Sequence, residues 1–475
     1  MNAADLAVAL PLLLISATAV IVMLAIAVKR NHAAATAITL VGIGISFCSL
    51  LFATSDIPRP LTSLLIFDSY SSLYMALLLC AAAFVVLLSY NYLEQRNEHR
   101  EEFYILILLA TAGAMVLTAS RHFVSLFLGL ELLSVSLYAL IAYIRAETIS
   151  IEAGIKYLVL AASSSSVLLF GLALIYAETG SMDLSQFATA VNHAATFPLV
   201  AGLMLVFTGV GFKLAVVPFH LWTPDVYEGA PLPVTAFIAT VSKGGMFALI
   251  LRWLHLHDTG LTGTPGLVLS IVAIASMLTG NLLALTQTNV KRILAYSSIA
   301  HMGYALVALL AGGTLGAPAA TYYLAAYFAT ILGAFGVMTL LSSSEREAAS
   351  ITDYRGLFWR RPVLAAAFTA MLLSLAGIPL TAGFLGKFYV IAAGAQQSRW
   401  ILLFTLVVSS TIGLFYYLRI LAAMYAKASD TDRGRTALPV SATVAVAVLT
   451  GLVFLLGLYP APLWNAIVSA ARNLG

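Results

Sequence analysis

Four of the seven lysines in the sequence, Lys156, Lys213, Lys243 and Lys387, fall inside long apolar segments. A charged group near the centre of a bilayer costs roughly 3 kcal/mol or more, so four such residues indicate a function rather than chance. A desolvated lysine can take up and release a proton near neutral pH. These lysines therefore predict a membrane protein that moves charge through its interior.

One acid, Glu131, is predicted to lie deep in an apolar span. A buried carboxylate alone favours its neutral form, whereas a neighbouring ammonium favours the charged form. We expect Lys213 to be that neighbour. Unit charges about 7 Å apart at an effective dielectric of about 20 attract each other by about 2.4 kcal/mol. Such a pair can switch its protonation state, and the alternative is a structural ion pair that fixes helix register.

Five further residues are candidates for proton transfer. Lys243 lies in mid-span and is followed by two glycines, and Lys387 lies beside a predicted helix break. Lys156 lies near the start of its span, where its amine can instead extend to the membrane interface. His220 and His301 are candidate relays, and a hydrogen-bonded core histidine is the alternative for each.

Some neighbouring polar residues have simpler interpretations. Tyr322, Tyr323 and Tyr327 can line a polar path, although packing is favoured for them. Asp225 and Glu228, just after the seventh apolar span, are interpreted as solvated loop charges.

The composition places the chain in a bilayer. Of its 475 residues 61% are hydrophobic and only 9% charged, whereas a soluble domain has about 25% charged residues. The formal charge of +4 suggests no nucleic-acid partner. Cys48 and Cys80 lie in apolar runs without a Cys/His cluster, so we expect no iron–sulfur cluster, zinc, disulfide or other cofactor on this chain. The first apolar stretch is too long for a signal peptide and is interpreted as a retained helix.

Hydrophobic runs predict an all-α polytopic membrane protein with about fourteen transmembrane helices. The predicted spans are 6–28, 34–54, 70–92, 103–119, 122–144, 154–177, 198–224, 232–254, 265–287, 293–312, 319–342, 363–394, 400–425 and 439–460.

Basic residues predict the orientation, because they accumulate in cytoplasmic connections. With the N-terminus outside, fourteen basic residues fall in inside connections and five in outside regions. The inside residues are Lys29, Arg30, Arg96, Arg100, Arg145, Lys291, Arg292, Arg346, Arg355, Arg360, Arg361, Lys427, Arg433 and Arg435. Both termini are therefore predicted to lie on the outer face.

Spans 7 and 12 are overlong, and each contains glycines and an internal proline, Pro218 or Pro379. Since proline cannot donate to the carbonyl four residues earlier, we expect both helices to break there. Paired broken helices are typical of transporters with inverted repeats. The five-span separation predicts repeats of opposite orientation at 103–255 (spans 4–8) and 256–426 (spans 9–13). Residues 1–102 carry spans 1–3, and residues 427–475 carry span 14.

Three long motifs carry a family resemblance. Residues 211–227 (GFKLAVVPFHLWTPDVY), 287–298 (QTNVKRILAYSS) and 374–389 (SLAGIPLTAGFLGKFY) closely resemble the antiporter-like subunits of respiratory complex I. The resemblance covers nearly the whole chain, and motifs of this length are far more specific than a short pattern.

The resemblance implies a fourteen-helix subunit with inverted five-helix repeats, broken helices 7 and 12 and a central polar axis. In that family the residues matching Glu131, Lys213, Lys243 and Lys387 carry the proton path, and the resemblance implies that Lys156 is a bridging lysine and His220 a candidate relay. It also implies a place in a bacterial inner membrane beside other membrane subunits of an NADH dehydrogenase. FMN, iron–sulfur clusters and quinone reduction would belong to other subunits.

Two features distinguish this chain within the family. The larger member ends in a long lateral helix, for which this sequence leaves no room after span 14. The middle member typically carries a glutamate where this chain has Lys387. The alternative functions are a subunit of a multisubunit cation/proton antiporter and a structural membrane scaffold whose lysines are inactive.

The predicted orientation is tested with a reporter that is active only in the cytoplasm. Fused after Gly475 it should be silent, whereas fused after Lys427, in a predicted inside connection, it should be active. A strong signal from the Gly475 fusion would contradict the fourteen-span model or its orientation.

Overall fold

The computed structural model describes residues 3–52, 58–96, 99–184, 196–255, 263–344, 346–427 and 438–472, and most of them are helical. Within these ranges thirteen helices are long and apolar enough to cross a membrane, and a shorter apolar helix at Pro362–Ala376 begins another predicted span. All fourteen predicted spans thus correspond to helices, which confirms the polytopic α-helical fold.

The first half of the chain contains ten helices within the described ranges. They are α1 (Ala3–Val28), α2 (His32–Phe52), α3 (Ser69–Glu94), α4 (Glu102–Ala119), α5 (Phe123–Ile141), α6 (Thr148–Thr179), α7 (Phe197–Leu214), α8 (Trp222–Gly229), α9 (Leu232–Phe237) and α10 (Lys243–His255). A π-helical turn, Ile238–Ser242, joins α9 to α10 in one continuous span. A short antiparallel hairpin, β1 (Arg59–Leu61) and β2 (Leu65–Phe67), connects α2 to α3, with Pro60 opposite Ile66.

Nine helices follow in the described part of the second half. They are α11 (Gly263–Leu285), α12 (Val290–Ala311), α13 (Gly313–Leu341), α14 (Leu357–Arg360), α15 (Pro362–Ala376), α16 (Ala382–Gln396), α17 (Trp400–Tyr425), α18 (Val440–Leu458) and α19 (Ala461–Ala471). A 3₁₀ turn, Ile351–Tyr354, precedes α14. The sequence did not predict α19, whose Trp464 ring stacks on Tyr389 with centroids 4.0 Å apart.

Both predicted helix breaks are present. In span 7, α7 ends at Leu214, Ala215 adopts a left-handed conformation, and the chain resumes helix at Trp222. In span 12, α15 ends at Ala376, and residues 377–381 separate it from α16. Gly377 has a φ of +85°, a conformation that glycine adopts at little cost.

Glycines allow close helix contact at matching places in the two predicted repeats. A Cβ on Gly113 of α4 would lie 2.8 Å from the carbonyl oxygen of Gly129 on α5. In the second repeat, a Cβ on Gly280 of α11 would lie 2.7 Å from the Tyr296 oxygen on α12. Such contacts through small residues are typical of membrane helices. The repeat boundaries and the inverted relation between the repeats both stay predictions.

Contacts between connections agree with alternating crossings. Arg59 of the hairpin pairs with Asp5 at the start of α1 (2.8 Å), joining two connections that are predicted to lie outside. Lys291, at the start of α12, pairs with Glu347 (2.6 Å) of the connection after α13, at the end of the bundle that is predicted to lie inside. We call this second end the basic end of the bundle. Arg433 and Arg435, which contribute to the predicted orientation, lie outside the described residues.

Gly280→Val should destabilise the protein by about 1–3 kcal/mol, because the added side chain overlaps the backbone of α12. Gly451→Val is the matched control, since a Cβ at Gly451 meets nothing within 4 Å. Thermal unfolding of the purified protein in mild detergent compares the two. Equal midpoints for both variants would show that the α11–α12 contact is not tightly packed.

Candidate functional site

Three of the four predicted lysines lie buried in the helix bundle. Lys213, Lys243 and Lys387 have exposed fractions of 3%, 0% and 7%. Each amine donates to a serine hydroxyl and lies near the face of a tyrosine ring. Among the residues that the structure describes, none of the three forms an ion pair with a carboxylate.

Lys213 lies in the last turn of α7, immediately before the break. Its amine donates to the Ser134 hydroxyl of α5 (3.0 Å) and to the Tyr157 hydroxyl of α6 (3.1 Å). The Tyr157 ring centroid is 5.7 Å from the amine, close enough for a cation–π attraction. The break lets the indole of Trp222 donate to the Phe212 carbonyl, which anchors the end of α7.

Glu131 is close to Lys213 but not in contact with it. Its Oε1 atom is buried and has no hydrogen-bond partner among the described residues. The carboxylate interacts electrostatically with Lys213 and Tyr157, although no direct ion pair forms. This arrangement agrees with the separated pair that the sequence predicted, and the switching role of the pair stays a prediction.

Lys243 follows directly after the π-helical turn. Its amine donates to the Ser298 hydroxyl of α12 at 2.7 Å. The Ser298 oxygen also accepts from the Tyr327 hydroxyl of α13 (2.8 Å) and lies 3.2 Å from the Tyr227 hydroxyl of α8. Lys243 therefore enters a hydroxyl cluster supplied by three other helices.

Lys387 lies on α16 and reaches back across the break to the end of α15. Its amine donates to the carbonyls of Leu375 (2.9 Å) and Ala376 (2.8 Å) and to the Ser410 hydroxyl of α17 (2.7 Å). Pro379 cannot donate to the Leu375 carbonyl, as the sequence predicted. A positive group at a helix C-terminus is also favoured by the helix dipole.

A polar group centred on His301 lies between Lys243 and Lys387. The imidazole Nδ1 is 2.6 Å from the Tyr323 hydroxyl, and Nε2 is 3.4 Å from the Tyr417 hydroxyl. Its ring centroid lies 5.2 Å from that of Tyr327 and 5.4 Å from that of Tyr304, over whose ring the Lys387 amine sits at 5.3 Å. His301 thus lies among hydroxyl groups between the two lysines, and its role as a relay stays a prediction.

Tyr322, Tyr323 and Tyr327, for which the sequence offered a polar path or simple packing, do not all behave alike. Tyr323 and Tyr327 bond to His301 and Ser298, so the favoured packing interpretation is incomplete for them. The Tyr322 hydroxyl donates instead to the Leu456 carbonyl (2.6 Å), away from the lysines.

Lys156 does not lie buried with Lys213, Lys243 and Lys387. Its side chain is 45% exposed, and its amine contacts Glu152 (2.7 Å) and Asp225 (3.0 Å). Arg292 contacts Asp225 (2.9 Å) and Glu228 (2.7 Å). The interpretation of Asp225 and Glu228 as solvated loop charges is therefore wrong, because both belong to an ion-pair network on α8.

His220 lies in the break between α7 and α8 and is 6% exposed. Its Nδ1 is buried without a hydrogen-bond partner among the described residues. Burial at the break agrees with its candidacy as a relay, which stays a prediction.

Sequence reasoning missed the hydroxyl partners Ser134, Ser298 and Ser410. Serine is common in membrane helices, and its hydroxyl usually bonds the carbonyl four residues earlier, so nothing in the sequence singled these three out. Lys291 was assigned to a connection. It instead lies in α12, and its side chain is only 1% exposed. It pairs with Glu347, which lies in a connection far away in sequence, so the sequence did not indicate its burial.

The hydroxyl partners determine what the lysines can do. A hydroxyl can accept from an ammonium and can also donate to a neutral amine. A carboxylate in contact would hold the ammonium form instead. Because no described carboxylate contacts these amines, either protonation state can keep a hydrogen bond. The arrangement is chemically suited to proton transfer.

A metal-based site is not visible in the same region. Within the described residues no three or more His, Cys, Asp or Glu side chains are grouped so that they could hold a metal ion.

The sequence model of the family NADH:quinone oxidoreductase/Mrp antiporter, TM, matches residues 120–413, more than half of the chain. The chain belongs to this family. A relative from Ectopseudomonas mendocina (strain ymp), named NADH-quinone oxidoreductase subunit N, is 47% identical over 484 residues, which cover 99% of this chain and 97% of the relative. The predicted resemblance is therefore confirmed. A relative named subunit N also agrees with the two features that distinguish this chain from the larger and the middle member of the family.

Solved structures agree with the family assignment. Respiratory complex I from Thermus thermophilus with bound aureothin contains a chain with 33% identity and a TM-score of 0.82, covering 97% of this chain and 99% of that one. The Mrp complex from Dietzia sp. DQ12-45-1b contains one with 20% identity and a TM-score of 0.87, covering 100% and 98%. That second likeness shows a shared fold alone.

Proposed function

We propose that this chain is the proton-translocating membrane subunit N of an NADH:quinone oxidoreductase. The observation that carries the proposal is the row of three buried lysines, each bonded to a serine hydroxyl and without a contacting carboxylate. Membership of the family and the 47% identical relative support the identity of the complex. A cation/proton antiporter subunit is less well supported, because the Mrp likeness is at only 20% identity.

The proposed mechanism is coupled protonation along the row. A charge change at Glu131 and Lys213 alters the field at Lys243, and the His301 group transmits the change to Lys387. A dry interior favours such coupling, because interactions between charges are screened less there than at a surface.

The remaining parts of the reaction would take place on partner subunits. NADH oxidation, quinone reduction, FMN and iron–sulfur clusters are assigned to those subunits, and this chain contributes no redox step. We place it as a multi-pass protein in a bacterial inner membrane, in contact with lipid and the other membrane subunits, with both termini on the periplasmic side.

Lys213→Ala tests the Glu131–Lys213 pair. Without the amine, Glu131 loses the neighbouring positive charge with which it is proposed to exchange its charge state. Proton pumping driven by NADH should then fall at least about tenfold. Assembly should survive, because a neutral carboxyl can remain buried. Pumping is measured in sealed vesicles at equal assembly, with the exposed Lys29→Ala as control. Full pumping by the assembled Lys213→Ala complex would defeat the switching role.

Lys387→Met and Lys387→Arg separate proton release from structural support. Met removes the donor from two carbonyls at the end of α15 and should cost about 1–3 kcal/mol of stability. Arg keeps the charge and donors but scarcely deprotonates, because its pKa exceeds about 12.

A titrating Lys387 predicts that both variants lose pumping, whereas only Met loses thermal stability. The two quantities are measured on complexes assembled to equal levels. Wild-type pumping by Lys387→Arg would rule out proton release from this residue.

A further inference from the structure

A second buried lysine–carboxylate group lies at the basic end of the bundle, outside the lysine row. The Lys291 side chain is 1% exposed, and its amine bonds Glu347 Oε2 (2.6 Å) and the Ala230 carbonyl (2.7 Å). Glu347 Oε1 accepts from the Tyr92 hydroxyl and from the Leu232 amide (3.2 Å). The carboxylate therefore ties α3, α9 and α12 together.

Glu347 also borders water-accessible space. Together with Tyr92 and Arg96 it lines a cavity of about 500 Å³ at the basic end, between α3, the end of α13 and the start of α18. Its side chain is 13% exposed, while that of its partner Lys291 is almost completely enclosed. This carboxylate is thus placed between an open cavity and a buried amine.

A second carboxylate acts on Glu347 and Lys291 through its charge. Glu147, immediately before α6, interacts electrostatically with Glu347, Lys291 and Arg96. Burial raises the pKa of the Glu147 carboxyl, and the negative charge of Glu347 raises it further, against the opposing effect of Lys291 and Arg96. The titratable and charged groups that act on Glu347 include Lys291 from α12, Tyr92 and Arg96 from α3, Glu147, and Tyr354 from the 3₁₀ turn. The cavity that it borders is also lined by Arg346, Asp353, Arg360 and Arg361.

Helix α12 connects Lys291 to the residue that contacts Lys243. Ser298, which accepts from Lys243, lies seven residues after Lys291, two turns and about 10 Å farther along the same face. Tyr227 spans part of this distance, since its hydroxyl lies 3.2 Å from Ser298. The Thr235 hydroxyl lies 3.3 Å from the Tyr227 carbonyl and 3.3 Å from the Ala230 carbonyl, and can donate its one proton to either.

We propose that Glu347 and Lys291 form a proton-uptake site, which collects protons at the basic end and supplies Lys243 through Tyr227, Ser298 and intervening water. The transfer changes no bond other than the O–H and N–H bonds that exchange the proton. The inference rests on the proposed proton-translocating function and adds its route of entry.

Glu347→Gln tests the site, because the amide preserves the shape and an acceptor oxygen but cannot carry a proton. Measured in inverted membrane vesicles with NADH, which expose the basic end in the predicted orientation, pumping at neutral pH should fall about tenfold or more. It should recover partly as the pH of the medium is lowered or its buffer concentration is raised. A purely structural carboxylate would give a loss that does not respond to either.

Two further variants keep the test decisive. Glu347→Gln leaves Lys291 buried without its counter-ion, so the double variant Glu347→Gln/Lys291→Met supplies a neutral, apolar alternative if the single variant does not assemble. It should assemble and still show slowed, pH-sensitive pumping. Glu102→Gln, which removes a half-exposed ion pair with Arg30 at the same end, should pump normally.

The outcomes separate this inference from the proposed function. Wild-type pumping in an assembled Glu347→Gln or double variant overturns the uptake site, even where Lys243→Ala abolishes pumping. If Lys243→Ala also pumps normally, the proposed function itself fails. Loss of pumping in Glu347→Gln that is insensitive to pH and buffer, together with lower thermal stability, shows a structural clamp and likewise overturns the uptake site.

Discussion

The need to provide hydrogen-bond acceptors for amines buried inside a bilayer governs the rest of this structure. Removing an ammonium from water is costly unless nearby polar atoms replace the lost solvation. Here the replacement comes from serine hydroxyls, tyrosine rings and, at Lys387, the free carbonyls of an interrupted helix. These acceptors come from neighbouring helices, so each lysine fixes how several helices must pack around it.

The lysines fall into two chemical classes. Lys213, Lys243 and Lys387 contact hydroxyl or carbonyl oxygens, which favour the charged form less strongly than a carboxylate would. Lys156 and Lys291 contact carboxylates near the basic end of the bundle. The first arrangement leaves the amine able to change its charge. The second joins parts of the chain that are far apart in sequence through ion pairs.

Helix irregularities give the row its geometry. A straight helix bonds almost all of its own carbonyls, so it offers few backbone acceptors to a buried amine. The break in span 12 exposes the Leu375 and Ala376 carbonyls to Lys387, and the break in span 7 ends α7 one residue after Lys213. The π-helical turn, which is often found at functional sites, ends immediately before Lys243. Each of these three buried lysines therefore lies beside an interruption of regular α-helix.

The sequence by itself determined the fourteen spans, the two breaks and the identity of the central lysines. Those features depend on local properties: hydrophobic length, the missing amide of proline, and the cost of a charge in an apolar run. Only the tertiary structure decided which hydroxyls meet Lys213, Lys243 and Lys387. It also decided that Lys156 pairs with Asp225 and that Lys291 is buried against Glu347. These contacts join residues far apart in sequence, and they depend on helix rotation and packing, which no local pattern specifies.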